Sequence, residues 1–476
     1  MKILFVEDNP TFSEGLVRLL RANQNIADVT LALSKNSAMT ALRGGFYDLL
    51  ILDLNIPVND GELEVEVQNG HDVFFRAIEV CPGIPIFILT GSEISAFGKR
   101  VVRYGENIDL WGSTIATNTL DYLDKEQLDI LLPQVFQMAE QVRELNQIAL
   151  NFRGMDLELS EGQLRCLKVV TRRVGAVAAE VVKLTGGRSR ARVVRVDMRN
   201  AAGVSIQLAA AKLDTGEAIK NEDAAFAKYA QRLPSGVFPH KIDMIDKGAC
   251  GHGGIFYRLA EDYRRSLFQV LRDSDHDAAA AVIALREGMK PWIDAAAMKK
   301  TTIAEMRSRV LWDASFEKVK NEFGLDLDDV ERMSVSFMSG CIHGDLHGSN
   351  VLVNNRSHPI LIDFGDIGEG ASCFDPVMLE LSAIFHPDSV DLNIASNLHG
   401  SLALWPDRQA YSQEHPYPEF HAACREWAYD SSGSDFAVLV AAYCQILRQL
   451  RFKSVDPHLI LIALHSILER IRKHQK

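Results

Sequence analysis

Short apolar runs alternate with helical spacings over the first part of the chain. Residues 2–6, KILFV, form an apolar run that stops at Glu7 and Asp8, the pattern of a strand buried on both faces. Phe12, Leu16, Leu19 and Leu20 follow at helical spacing. YDLLILDLNIP, IPIFILTG and LDYLDK repeat the apolar run and place Asp53, Thr90 and Lys125 at or near their ends. Such alternation predicts a doubly wound parallel sheet whose carboxyl ends gather one set of side chains. Pro133 suits the first turn of a helix. Val135, Met138, Val142, Leu145, Ala149 and Phe152 then make an a/d stripe, with Gly154 as its expected end. Two readings fit the stripe: a helix packed on its own chain, or a dimerising coiled coil.

From about Ala176 the pattern becomes strand-like, in VAAEVVKLTGGRSRARVVRVDM and VSIQLAAAKLD. Gly186 and Gly187 fall at a hairpin turn, and Lys212 is placed at the end of the third strand. A helical run, AIKNEDAAFAKYAQRL, carries Glu222. Further on, VSFM, VLV and ILIDFGD flank the polar loop CIHGDLHGSN. Beyond Asp375 helical patterns such as FAVLVAAYCQILRQLRF take over. The expected fold class is therefore α/β followed by α+β.

Composition narrows this picture. A chain of 476 residues is too long for one core and implies two or three domains. The net charge of −12 argues against a nucleic-acid partner. Seven dispersed cysteines without a CxxC pair read as reduced thiols. No apolar run approaches the ~18 residues of a membrane span, and the N-terminus lacks the order of a signal peptide. The expectation is a cytoplasmic protein with no membrane partner.

The acids expected at the first sheet have a chemical logic. Glu7, Asp8 and Asp53 repel one another and call for a cation, and hard, oxygen-liganded Mg²⁺ fits. One carboxylate can then accept a phosphoryl group as an acyl phosphate, while a hydroxyl (Thr90) and an ammonium (Lys125) bind its oxygens. FVEDNP, LDLNIPVNDG, LTG and DYLDK, in this order over residues 1–140, resemble the receiver domain of two-component response regulators. The resemblance implies a five-stranded flavodoxin-like sheet. It makes Asp53 the phosphoacceptor, Glu7, Asp8 and Asp53 the Mg²⁺ site, Thr90 and Lys125 the phosphate-sensing residues, and Tyr122 an aromatic that swings inward. It also implies a sensor histidine kinase as phosphodonor. Two departures stand out. ELEVEVQNGHDVFF follows Gly61, with a helical pattern restarting only near Gly70. The segment between Thr90 and Lys125, with YGENIDLWGSTIATN, is longer than such a sheet requires.

The polar loop has its own logic. Asp345 can accept a proton from an alcohol, and Asn350 with Asp363 can form a Mg²⁺ site facing it. A strand lysine (Lys212) paired with a helix glutamate (Glu222) can hold charge where nucleotide phosphates lie. His343 and His347 tempt toward zinc, but there is no HExxH frame and the glycines at 344 and 348 disfavour a helix. Their expected role is to brace the loop by hydrogen bonds. HGDLHGSN with IDFGD resembles the aminoglycoside phosphotransferase and choline-kinase branch of the protein-kinase-like fold, over roughly residues 170–476. That resemblance implies a bilobal domain with a small β-rich lobe and a larger helical lobe. It makes Asp345 the catalytic base, Asn350 and Asp363 the Mg²⁺ ligands and Lys212 the ATP-phosphate contact oriented by Glu222. Gly186 and Gly187 would lie over the nucleotide, and YRLAED, 257–262, would be the adenine-binding hinge. Asp375 comes only twelve residues after Asp363, which leaves no room for a phosphorylated activation loop.

The expected organisation is a receiver at 1–132, a connector helix and linker at 133–168, a β-rich lobe at 169–262 and a helical lobe at 263–476. Three functions compete: a receiver-gated, ATP-dependent kinase acting on a small-molecule alcohol, a nucleotide-binding scaffold that relays signal state to protein partners, and a kinase acting on a protein. The receiver and the connector helix are the two places where a homodimer would form.

Overall fold

In the computed structural model, residues 1–90, 101–184, 191–398 and 400–474 are described. The polypeptide divides into two compact units. The first comprises Met1–Lys183, Ser189–Lys220 and Lys241–Tyr257; the second is chiefly Asn221–His240 and Arg258–Lys476.

The first unit begins with β1 (Lys2–Val6), α1 (Pro10–Arg21), β2 (Asp28–Ala32), α2 (Lys35–Gly44) and β3 (Leu49–Asp53). α3 (Val67–Val80), β4 (Ile86–Thr90) and β5 (Leu120–Asp124) complete a sheet of order β2-β1-β3-β4-β5. Its described ladders are parallel, and this order is that of the flavodoxin-like doubly wound fold. Asn9 caps α1 by accepting from the Phe12 N–H at 3.1 Å, with Pro10 in the first turn. Gly70 lets α3 lie on the sheet, since a Cβ there would fall 2.3 Å from the Leu54 Cα.

The stretch after Gly61 differs from the expected late helix. Val65–Glu66 pairs antiparallel with Ile56–Pro57, and α3 starts directly at Val67. The polar residues there mask the helix start in the sequence, yet buried Asn69 donates its side-chain amide to the Ile56 carbonyl at 2.9 Å. In the long segment before β5, Asn107–Ile108 pairs with Thr117–Asn118, with Trp111 buried between them in sequence.

α4 (Leu128–Asn146) starts earlier than Pro133 implies and stops sooner than the stripe does. Ala149–Asn151 is instead β6, paired parallel with Ala178–Glu180, so Ala149 and Phe152 leave the helical stripe. The reason is that a strand edge offers the backbone a ladder, with Ala149 N–H donating to the Val177 carbonyl at 3.2 Å. α5 (Glu161–Arg173), held by a Ser160/Gln163 capping box, leads to β7 (Ala178–Lys183), β8 (Arg192–Arg199) and β9 (Ser205–Thr215). After α6 (Gly216–Tyr229), β10 (Lys241–Ile245) and β11 (His252–Arg258) close a sheet of order β6-β7-β8-β9-β11-β10.

The core explains why this unit is one body. One face of the first sheet (Leu4, Val6, Leu50, Leu52, Ile86, Ile88) packs with Val73, Phe74 and Ala77 of α3. The other face (Ile3, Phe5, Ile51, Phe87, Leu89) belongs to a cluster that continues through Val135, Met138, Val142 and Leu145 of α4. The same cluster includes Cys166 and Leu167 of α5 and Val181, Val194, Ala211 and Phe256 of the second sheet. The helical stripe is thus spent on this chain's own core. Within the same unit, Arg165 and Asp48 form a buried ion pair at 2.5 Å.

In the second unit, β12 (Ser334–Ile342) pairs with Ala297–Thr302 on one side and Gly368–Ala371 on the other. A small antiparallel ladder joins β13 (Val351–Val353) to β14 (Pro359–Leu361). Long helices fill the rest, among them α7 (Phe374–Phe385), α8 (Pro418–Ser432), α9 (Asp435–Gln449) and α10 (Pro457–His474). α7 is buried along its whole length, and α9 buries Val438, Ala442 and Ile446.

Candidate functional site

The first unit gathers its acids at the carboxyl ends of β1 and β3. Glu7, Asp8 and Asp53 each bring one oxygen within 4.8 Å of the others, and they are the single group of this kind among the described residues. Glu7 and Asp53 are buried. Lys125, just past β5, places its Nζ 2.7 Å from Asp53 Oδ2 and 2.7 Å from Glu7 Oε2, with the Phe12 ring centroid 5.2 Å away. Burial raises the Glu7 pKa above the usual carboxylate range, with Lys125 opposing and Asp53 adding to the shift. Burial also works against the Lys125 charge, but hydrogen bonds to Asp53 and Glu7 outweigh it and raise the ammonium pKa. Two or three clustered carboxylates with one ammonium leave an excess of negative charge, so this donor set fits a hard divalent cation.

Thr90 ends β4 opposite Asp124 of β5; its side chain lies outside the described residues. Tyr122 is half-buried on β5, its pKa pushed up to about 12 by burial, and its hydroxyl has no hydrogen-bond partner among the described residues.

The second unit builds the polar loop from β12 onward. Asp375, at the start of α7, accepts from the His343 N–H at 2.7 Å and the Gly344 N–H at 3.0 Å. It is fully buried, and burial raises its pKa against the pull of His343 and the two N–H groups. Gly344 has φ +82°, and a Cβ there would lie 2.3 Å from the Asp366 carbonyl oxygen. Asp345 follows, half-exposed at the loop tip. Asn350 is buried and donates from Nδ2 to the Asp345 carbonyl at 2.9 Å. The Ile362 N–H donates to the Asn350 carbonyl at 3.0 Å, tying the loop to the strand that precedes Asp363. Asp363 itself has φ +65°. The next residue, Phe364, donates its N–H to Glu222 Oε1 at 3.4 Å and stacks edge-on to Phe226 at 5.1 Å.

His343 meets the loop through a hydrogen bond, whereas His347 meets its surroundings by ring stacking. His343 Nε2 lies 3.1 Å from the Ile362 carbonyl. His347 stacks on His386 at 4.2 Å, with its Nε2 3.6 Å from Asp345 Oδ2. Burial holds the His347 pKa down to about 4, so the ring is neutral near pH 7. Neither histidine belongs to a metal-ligating cluster among the described residues.

Lys212 sits within β9, paired with Val193, and the strand runs on to Thr215 instead of ending at the lysine. Glu222 is buried on α6. Gly186 and Gly187 lie outside the described residues. Sequence reasoning missed two residues that shape the loop. Asp375 carried a weak signal, an acid at the first turn of an otherwise apolar helix. Arg448, near the end of α9, donates from Nη2 to Asp345 Oδ1 at 3.2 Å, and only a cation at the end of a buried helix marked it.

Fold and geometry define a receiver-like α/β domain joined to a kinase-like α+β domain. Residues 257–411, about a third of the chain, match the family model APH, described as the phosphotransferase enzyme family. The matched segment falls almost entirely in the second unit. No curated protein matches the chain. Among solved structures it is similar to the receiver domain of the Francisella response regulator 1452, at 18% identity over 30% of this chain and 98% of that one, TM-score 0.23. A CheY-like receiver domain protein from Methanospirillum hungatei JF-1 is similar at 18% identity over 30% and 97%, TM-score 0.22. A thermostable mutant of aminoglycoside phosphotransferase APH(4)-Ia, in ternary complex with ADP and hygromycin B, is similar at 13% identity over 64% and 97%, TM-score 0.36. No helix among the described residues is long and apolar enough to cross a membrane.

Proposed function

We propose that this is a two-component signalling protein in which phosphorylation of Asp53 regulates an ATP-dependent phosphotransferase acting on an alcohol. The receiver occupies 1–132, the connector 133–168, and the two lobes of the transferase 169–262 and 263–476. The observation that carries the transferase is the loop around Asp345. Its backbone is pinned by a buried carboxylate and a buried amide, within a segment matching the phosphotransferase family model. Such fixed placement is what general-base catalysis of phosphoryl transfer needs.

In this reading Asp345 takes the proton of the acceptor hydroxyl. Asn350 and Asp363 hold Mg²⁺ in the second unit, as Glu7, Asp8 and Asp53 do in the first. Lys212 contacts the ATP phosphates and Glu222 orients it. Bound Mg²⁺ supplies neutralisation of charge on the transferring phosphoryl group. Asp53 receives its phosphoryl group from a sensor histidine kinase, and Thr90, Lys125 and Tyr122 respond to it. Support for coupling comes from the core, because the receiver sheet, α4 and the second sheet share one apolar cluster.

The test is ADP production from ATP with a panel of alcohols, with and without acetyl phosphate or beryllofluoride. Asp345→Asn is expected to lower kcat by ~10²–10⁴-fold. Asp53→Asn is expected to abolish any response to the acyl-phosphate donor. Equal activity of wild type and Asp53→Asn under both conditions would end the gating idea. An Asp345→Asn variant that binds ATP–Mg²⁺ and keeps full cellular function would favour the scaffold.

A further inference from the structure

The backbone and the carboxylate of Asp345 are held by different groups. The Asp345 carbonyl accepts from the His347 N–H at 3.1 Å and from Asn350 Nδ2 at 2.9 Å. Asp375 holds the N–H groups of the two preceding residues. The carboxylate has a single hydrogen-bond donor among the described residues, Arg448 Nη2, which reaches Oδ1 at 3.2 Å. Oδ2 accepts no hydrogen bond among the described residues. His347 Nε2 stands 3.6 Å from it, and burial, which holds the His347 pKa down to about 4, keeps that ring neutral near pH 7.

Arg448 is braced in turn. Its Nη1 meets Met378 Sδ at 3.7 Å, on α7, whose first turn carries Asp375. The guanidinium therefore joins the Asp345 carboxylate to the helix that pins the Asp345 backbone. Asp363 and Asp388 act on His347 as Arg448 does, so acids outnumber this cation around the loop and its charge is already matched within the protein. Side-chain exposures of 19% for Arg448 and 27% for Asp345 leave the pair at the edge of solvent, where an ion pair adds little to stability. What the pair does fix is a rotamer. A carboxylate free to turn about its Cα–Cβ bond visits several staggered wells, and a guanidinium on one oxygen selects one of them.

We propose that Arg448 is a positioning residue for phosphoryl transfer: it holds Asp345 through Oδ1 and so leaves Oδ2 as the oxygen that takes the acceptor's hydroxyl proton. This rests on the phosphotransferase reading. In the step, the acceptor O–H proton passes to Asp345 Oδ2 and the acceptor oxygen bonds to the γ-phosphorus. The bond from that phosphorus to the bridging β-phosphate oxygen breaks, and ADP leaves. Arg448 acts through Asp345, by keeping the base in the orientation that proton transfer needs.

The experiment is a double-mutant cycle on the full chain, comparing wild type, Arg448→Ala, Asp345→Ala and the double variant. ADP formation from radiolabelled ATP and Mg²⁺ is followed with glycerol, ribose, choline and water as acceptors, with acetyl phosphate present throughout. Arg448→Ala is expected to lower kcat roughly 10–100-fold, the loss of one charge-assisted hydrogen bond, while KM for ATP and the urea midpoint stay near those of wild type. In the Asp345→Ala background the same substitution should change kcat by less than about twofold, because the group it positions is gone. Added methylguanidinium should restore part of kcat to Arg448→Ala and none to the double variant. Arg448→Lys keeps the charge without the planar fork. It should fall between wild type and Arg448→Ala, and it carries the cycle if the alanine variant does not fold. Equal losses in both backgrounds, or weakened ATP binding that accounts for the whole loss, would make Arg448 a packing residue. A gain in kcat would make it a latch on the base. Each of these results overturns the positioning role and leaves the phosphotransferase standing. No ADP from any acceptor in wild type would instead count against the transferase reading, and the role would fall with it.

Discussion

Replacing Arg165 by Met tests whether the receiver-like sheet and α5 are held as one body. Arg165 and Asp48 are both buried, with side-chain exposures of 7% and 3%, and Asp48 also accepts from the Lys2 N–H at 2.7 Å. The Arg165 guanidinium lies over the Phe46 ring at 5.0 Å. The substitution keeps most of the apolar stem but strands a buried carboxylate, which costs about 3–5 kcal/mol. The surface pairs nearby, such as Lys2–Glu161, half-exposed on both sides, are worth under ~1 kcal/mol each, so they do not mask the effect. Local opening can be read by hydrogen exchange of amides in β1 and β3. At ~1.4 kcal/mol per tenfold, their exchange should quicken by roughly two to three and a half orders of magnitude. The double variant Arg165→Met/Asp48→Asn removes the stranded charge and keeps an acceptor for the Lys2 N–H. It should recover much of the loss, as buried pairs do when both charges go. A change below about 1 kcal/mol in the single variant, or a double variant as damaged as the sum of both singles, would refute the reasoning.

Two other perturbations have definite signs. Gly344→Ala should lower the stability of the second unit and abolish transfer. The left-handed backbone alone costs about 1–2 kcal/mol, and the new Cβ meets the Asp366 carbonyl at 2.3 Å; near-normal activity in a folded Gly344→Ala protein would show that the loop relaxes freely. His415 gives a pH prediction. Burial, with His421 adding to it, holds its pKa down to about 4 from an ordinary value of 6.5. Between those values the unfolded chain binds a proton that the folded chain refuses, so stability falls as pH drops through that window and is fully present above it. From pH 6.5 to 5 the loss is about 1.6 kcal/mol. Urea midpoints followed by the second-unit tryptophans, Trp292, Trp312, Trp405 and Trp427, should show this slope in wild type and lose most of it in His415→Asn. Equal slopes in the two proteins would contradict the assignment.

What the sequence revealed depended on how local the physics was. KILFV, LLILD and IFIL are buried on both faces, so each announces itself as a continuous apolar run. Asp345, Asn350 and Asp363 are close in sequence, and two of the hydrogen bonds that order them, Asn350 to the Asp345 carbonyl and Ile362 to the Asn350 carbonyl, run within that stretch. Ala149 and Phe152 misled because their spacing continues the helix, whereas an open strand edge at Ala178 captures the backbone. Arg448 and Arg165 were beyond reach for a different reason. Their partners lie 103 and 117 residues away along the chain, and a lone arginine on a helix gives no sign of which carboxylate it will meet.

The same long-range packing bears on how a phosphoryl group at Asp53 would be felt. Lys125 bridges Asp53 and Glu7, so a modified Asp53 must change the company its ammonium keeps. That ammonium lies over the ring of Phe12, and Phe12 and Leu123 both pack on the cluster that runs through α4 into the second sheet. Interiors packed at crystal density transmit small displacements because side chains have few voids to move into. A flexible tether between receiver and β-sheet would lose such a displacement in the linker. Here the linker helix contributes Val135, Met138, Val142 and Leu145 to the cluster itself, so a shift at Phe12 has to be absorbed by residues that also form the base of β7, β8 and β9. Phe12→Ala should therefore alter hydrogen exchange in those strands as well as in the receiver sheet. Changes confined to α1 and β1 would mean that the two sheets share a core without sharing a mechanical fate.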